Sequence, residues 1–162
     1  MQTMQALSLV TAGASGVMGG VLFGFSSFVM PGLRRLPATD AVAAMQAINK
    51  AAPRALGLPL VVSGLGSAAV GAWSLTQSAS AGSPGPRALL LAGAAAGVVA
   101  FAVTVGYHIP RNDRLDAVDA RSSAAAGAWA DYVPGWVAMN HVRTALSLAS
   151  AALVAAGVIQ LP

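Results

Sequence analysis

Four apolar runs without a single charged side chain constrain this chain more than any other feature. They cover residues 6–30, 55–77, 88–107 and 144–161, and each is about 18 to 25 residues long. At a helical rise of 1.5 Å per residue they reach roughly 27 to 38 Å, enough to cross a hydrocarbon layer of about 30 Å. A lipid environment offers no water to unpaired backbone groups, so an isolated run of this length satisfies itself as a helix. The four runs therefore read as four transmembrane spans. The last one extends backward through semi-polar residues, which puts its start near residue 138. The first run lacks a positive leading region and is too long for a signal-peptide core, so it reads as a mature span.

Composition excludes the main soluble alternatives. Of 162 residues, 56% are hydrophobic and only 9% are charged, whereas a soluble domain carries about 25% charged residues. So little polar surface cannot cover a small globule in water. A soluble enzyme and a nucleic-acid reader are both excluded. Cysteine is absent, which removes disulfides, thiolate metal clusters and Cys nucleophiles. The length fits one domain spanning 1–162.

The cations orient the chain. Residues 77–87 read as a short Ser/Gly/Pro turn between spans two and three, while 31–54 and 108–135 are longer connections. Four spans put both long connections on one side and both termini on the other. Arg34, Arg35, Lys50, Arg54, Arg111, Arg114, Arg121 and Arg143 all fall on the long-connection side, and Arg87 alone falls opposite. This bias predicts a multi-pass protein of the cell membrane, with the long connections cytoplasmic and both termini outside. The basic pI of about 10.8 then needs no nucleic-acid partner.

Local signals refine the expected fold. Pro31-Gly32 reads as a helix stop, and Pro37-Ala38-Thr39-Asp40 as the start of a short helix running to about residue 52. Asn112 is placed to cap another short helix beginning at Asp113, and Pro134-Gly135 to break the chain before the last span. Pro59 is expected to kink span two. Gly16, Gly20 and Gly24, and likewise Gly93 and Gly97, recur at four-residue spacing. Such spacing lets helices approach closely, within the bundle or across a homo-oligomer. The expectation is an all-α, integral membrane four-helix bundle with short extramembrane helices in its two long cytoplasmic-side connections.

Most of the chemically capable side chains fall on that same side. Trp136, Asn140 and Arg143 are spaced i, i+4, i+7 and share one helical face. If Arg143, near the first turns of span four, faces the bundle, it needs an anionic or amide partner, and Gln46 and Asn49 are candidates. His108 ends span three and His141 begins span four, at similar depth, and imidazole suits proton transfer near neutral pH. Met30, Met45 and Met139 are soft side chains of the kind that bind copper, but no ligand spacing supports a metal site and none is assigned. No Gly-rich phosphate loop, Gly-x-Ser-x-Gly elbow or His-Glu-x-x-His motif occurs.

Three segments, 23–53, 110–115 and 129–149, resemble the anthrone oxygenase-like family of small four-helix membrane proteins. The resemblance rests on Met30-Pro31, on Met45-Gln46 with Asn49, on Pro110, Asn112 and Leu115, and on Trp136, Asn140 and Arg143. His108 stands where the family pattern has Asn. The resemblance implies an oxygenase that converts anthrones to anthraquinones, with dioxygen as co-substrate and no metal or flavin cofactor. On that reading His108 or His141 is the base, and Asn140 and Arg143 are donors to the developing oxyanion. Trp129, Tyr132 and Trp136 would form aromatic walls, and Gln46, Asn49 and Asn112 would line the same cavity. The partners implied are membrane lipid and a hydrophobic small molecule. Two other readings stay open: a non-catalytic small membrane protein (transport, lipid binding or an accessory subunit), and a redox protein holding a metal or haem through its histidines.

Overall fold

The computed structural model describes residues 2–76 and 85–161, and every regular element among them is helical. Four long helices carry the chain: α1 (Gln2–Leu33), α2 (Ala38–Thr76), α3 (Gly85–Asp116) and α4 (Ala125–Ile159). Each is long and apolar enough to cross a membrane. Side chains such as Leu58, Phe28 and Leu65 are 76%, 69% and 61% exposed on the outside of the bundle. Surfaces of that kind call for lipid. The molecule is an all-α, multi-pass membrane protein.

The helices form a ring in chain order, with α4 returning against α1. Two apolar clusters fill it. One, near the 33–38 and 116–125 connections, gathers Met30, Val42, Met45, Leu115, Tyr132 and Trp136; the other, toward the opposite end, gathers Val70, Leu90, Ala94 and Val154. Close helix approach explains part of the glycine content. A Cβ on Gly97 would collide with Ser67 of α2, and one on Gly64 would collide with the ring of Phe101 on α3. In lipid, where burying apolar surface drives helices together only weakly, such contacts supply much of the cohesion. Gly20, by contrast, meets nothing, so the spacing Gly16, Gly20, Gly24 does not mark one buried face.

The helices run well past the apolar stretches. The short helix read at about 37–52 is the first third of α2, which continues unbroken through Pro53 and Pro59 to Thr76. The short helix expected to begin at Asp113 is the end of α3, and Pro134-Gly135 lies inside α4 rather than before it. Asn112 therefore caps nothing. Pro31 likewise does not stop α1, which ends at Leu33. The turn read at 77–87 lies outside the described residues as far as residue 84, and from Gly85 the chain is helical. At that end Arg87 donates to the carbonyls of Ser74 (3.0 Å) and Leu75 (3.3 Å), closing the last turn of α2.

Two π-helical segments explain how the prolines are absorbed. Phe25–Val29 in α1 and Thr104–His108 in α3 are each followed by one residue and then by Pro31 or Pro110. The residue before each proline donates its N–H five positions back, Met30 to Phe25 and Ile109 to Thr104. The wider turn shifts the ladder just where proline has no N–H to give, and the helix continues.

Candidate functional site

Sequence periodicity builds the site from two facing stripes. On α4, Trp129, Tyr132, Trp136, Asn140 and Arg143 recur at three- and four-residue intervals and are all buried. On α3, Thr104, His108, Asn112 and Asp116 recur every four residues. The two stripes meet. Asn112 Oδ1 accepts from Tyr132 Oη at 2.7 Å and from Trp136 Nε1 at 3.0 Å. His108 Nε2 lies 3.3 Å from the Trp136 carbonyl, and its Nδ1 lies 3.4 Å from the carbonyl of Val103. The His108 ring meets the Trp136 ring edge-on at 5.4 Å.

Arg143 is the centre of the arrangement. It is only 6% exposed, yet among the described residues it has no ion pair. Asn140 Oδ1 accepts from its Nε at 3.2 Å and from its Nη2 at 2.8 Å, and Thr104 Oγ1 accepts from Nη1 at 3.5 Å. The guanidinium also lies 5.6 Å over the Trp136 ring, a cation–π contact contributing about 0.5–2 kcal/mol. Each of its two terminal nitrogens keeps one N–H without a protein acceptor. Burying a cation without an anion costs several kcal/mol even after local relaxation. Among the described residues no carboxylate touches the guanidinium; the nearest acidic groups the cavity offers, Asp113 and Asp116, line it without pairing with Arg143.

A cavity of about 300 Å³ opens beside this group. That is the low end of the roughly 300–1,000 Å³ of sites for small organic ligands. Its polar lining is Arg143, Thr104, His108, Asn49, Asn112, Asp113 and Asp116, and its apolar lining includes Met18, Phe25, Met45, Leu56 and Trp136. Both π segments feed it, through Phe25 and through Thr104 and His108. Such widened turns occur often at functional sites, because they re-aim side chains.

The residues singled out from the sequence divide into three groups. His108, Arg143, Asn49, Asn112 and Trp136 line the cavity. Asn140, Gln46, Trp129 and Tyr132 do not line it but support it. Asn140 is fully buried and donates to the Leu22 carbonyl (2.7 Å) and to Ser26 Oγ (2.6 Å), tying α4 to α1 while it holds Arg143. Gln46 is not a partner of Arg143; its Nε2 donates to the carbonyls of Leu115 (2.9 Å) and Val118 (2.8 Å), fastening the end of α3 to α2. Trp129 stacks on Tyr132 at 5.8 Å, behind Trp136. His141 forms the third group. It is exposed and absent from the lining, so the two histidines do not share the cavity.

Sequence reasoning missed Thr104, Asp116 and Phe25. Thr104 and Asp116 carried a readable signal, the four-residue polar stripe on α3. It was hidden because Pro110 suggested that the helix had already ended. Phe25 lies in an apolar run and offered no signal. Asn49 Nδ2 donates to Asp116 Oδ1 at 3.1 Å, closing the cavity floor between α2 and α3. Among the described residues, no three His, Asp, Glu or Cys side chains gather where a metal ion could be held.

Fold and site together define a class: a four-helix membrane protein with a buried cation that makes no ion pair among the described residues, beside a largely apolar cavity. The sequence pattern of the anthrone oxygenase family matches residues 53–153, a stretch holding most of α2, all of α3 and most of α4. The chain belongs to the anthrone oxygenase family. No curated protein and no solved structure matches it.

Proposed function

We propose that this protein is a membrane-embedded oxygenase that oxidises a lipophilic aromatic ketone of the anthrone type, using dioxygen and no cofactor. One observation carries the reading: Arg143, buried and without a carboxylate partner, presents unpaired N–H groups at an apolar cavity. A site of this kind favours a ligand whose oxygen becomes negative during reaction, because preorganised donors in a dry environment stabilise developing charge strongly.

The chemistry follows from the residues at the cavity. A base removes a proton from the methylene carbon opposite the ketone, and the electrons move onto the ketone oxygen. Arg143 faces that oxyanion. His108 is the imidazole on the cavity wall: the neutral ring holds its one N–H toward a carbonyl, that of Trp136 or that of Val103, and the other nitrogen carries the lone pair that takes the proton. The electron-rich anion reduces dioxygen and forms a carbon–oxygen bond at the former methylene carbon. Loss of the second hydrogen with cleavage of the O–O bond leaves a carbonyl and releases water. Anthrone and dioxygen thus give anthraquinone and water, the methylene carbon losing four electrons and dioxygen gaining four. The π face of Trp136 and the side chains of Phe25 and Leu56 suit a flat, apolar ring system.

The orientation belongs to the same reading. The end carrying Arg34, Arg35, Lys50, Arg54, Arg111, Arg114 and Arg121 faces the cytoplasm, following the cation bias.

The test is turnover by purified protein in detergent, with an anthrone and dissolved oxygen, followed by quinone absorbance. The expected result is quinone formation faster than in protein-free detergent, with one oxygen consumed per quinone formed. A rate equal to the protein-free control contradicts the reading.

A further inference from the structure

We propose that ligand reaches the cavity sideways from the bilayer, through a window between α2 and α3, with Gly57 at its edge. The window rests on the reading of the cavity as an organic-ligand site, and not on the reaction carried out there.

The seam between these two helices is tight at one end. Gly97 abuts Ser67, Gly64 abuts Phe101, and a Cβ on Gly71 would lie 3.3 Å from the Ala94 methyl. At the other end the seam closes again through the bond from Asn49 to Asp116 and the two bonds from Gln46. Between Gly64 and Asn49 on α2, and between Phe101 and Asp116 on α3, the helices run fifteen residues, roughly 22 Å. Within that interval a Cβ on Gly57 or on Gly106 meets nothing within 4 Å.

The cavity opens into the same interval. Its lining residues on α1 and α4 are mostly buried, among them Met18, Leu22, Trp136 and Arg143. Its exposed lining residues are Pro53 on α2 and Ile109 and Asp113 on α3. The lips of the opening are mainly apolar, with Pro53 and, flanking it outside the lining, Leu58 and Val61 exposed on α2, and with Ile109 and the flanking Val105 exposed on α3; the one exposed carboxylate, Asp113, lies at the end nearer the 116–125 connection. Such lips suit hydrocarbon rather than water. Pro53 and Pro59 deprive the carbonyls of Asn49 and Ala55 of their helical donors. That leaves α2 more pliable along the window than elsewhere, so a flat ring system can pass. Gly57 then sets the size of what passes, because any larger side chain there projects into open space at the cavity edge.

The chain has no cysteine, so a single introduced thiol reports its own surroundings. Gly57→Cys, reconstituted in phosphatidylcholine vesicles, is treated with a lipid-soluble maleimide and with a charged, water-soluble thiol reagent. The expected result is labelling by the lipid-soluble reagent roughly tenfold faster or more, following its partition into the bilayer. Ser67→Cys, in the closed seam, should stay unlabelled by both. Faster labelling of Gly57→Cys by the charged reagent overturns the window, and so does labelling by neither. Both outcomes are read without any turnover assay, so they are independent of the proposed reaction. Where turnover is measurable, Gly57→Trp is expected to lower kcat/KM for an anthrone by about tenfold or more, as a blocked entrance does. An unchanged kcat/KM in that variant overturns the role of Gly57.

Discussion

Arg143 is held by Asn140 and not by a carboxylate: one amide oxygen accepts from Nε at 3.2 Å and from Nη2 at 2.8 Å. The pairing fixes the plane of the guanidinium without neutralising it. A carboxylate in the same place would satisfy the cation and remove its attraction for a ligand. The neutral partner preserves the charge for whatever enters the cavity, and the cost of burying that charge is carried by the rest of the bundle.

Replacing Arg143 by Ala should lower anthrone turnover by about 100- to 1,000-fold, the usual loss when one oxyanion donor is removed. Arg143→Lys should recover little of it, because an ammonium cannot bond Asn140 through two parallel N–H groups. Steady-state quinone formation measures both. Membrane insertion should be unchanged in each variant.

His108→Asn is the informative change at the proposed base. Turnover should fall by roughly 100- to 10,000-fold, the range for loss of a general base. His141→Ala, at an exposed position away from the cavity, should leave turnover near the starting value. If His108→Asn keeps full activity, the base is instead a carboxylate on the cavity wall, and Asp113→Asn should then abolish turnover.

Gln46 separates support from binding. Gln46→Leu removes two part-buried bonds to the carbonyls of Leu115 and Val118; the Leu115 carbonyl keeps the Val118 N–H, so the expected loss is about 1 kcal/mol, that of an ordinary hydrogen bond. The thermal midpoint in detergent should fall, while KM for an anthrone should stay close to its original value because Gln46 does not line the cavity. A raised KM at an unchanged midpoint would reverse that assignment.

Much of this was legible in the residues. Four uncharged runs of membrane-crossing length specify four helices, and the spacing of Trp136, Asn140 and Arg143 specifies one inward face. What stayed hidden has a common physical cause. Pro31 and Pro110 look like helix ends, because proline removes a backbone donor. The π segments before them supply a different hydrogen-bond register, which no periodicity in the sequence announces. With α3 taken to end at His108, the stripe from Thr104 to Asp116 could not be seen as one face. The role of Gln46 was equally invisible, since its acceptors are main-chain carbonyls on another helix. His141 illustrates the opposite error: it adjoins Asn140 in sequence, but one residue along a helix turns a side chain through about 100°, here out of the bundle.

Asn140 itself should be the most costly single substitution for stability. Asn140→Leu breaks the ties to Leu22 and Ser26 and leaves Arg143 without its anchor. A loss of about 3–5 kcal/mol is expected, as when a buried charge loses its partner. Unfolding in mixed detergent measures it, and a loss below about 1 kcal/mol, that of an ordinary hydrogen bond, would contradict the described network.

The central claim concerns charge at Arg143, and comparative binding reads it most directly. Purified wild type and Arg143→Ala are titrated with an anthracene carboxylate and with the matching neutral anthracene alcohol. Wild type should prefer the anion by about 10- to 100-fold, the equivalent of one charge-assisted hydrogen-bonded contact. Arg143→Ala should lose that preference while binding the alcohol as before. Equal affinity of wild type for the two ligands, or a preference that survives in Arg143→Ala, would contradict the account.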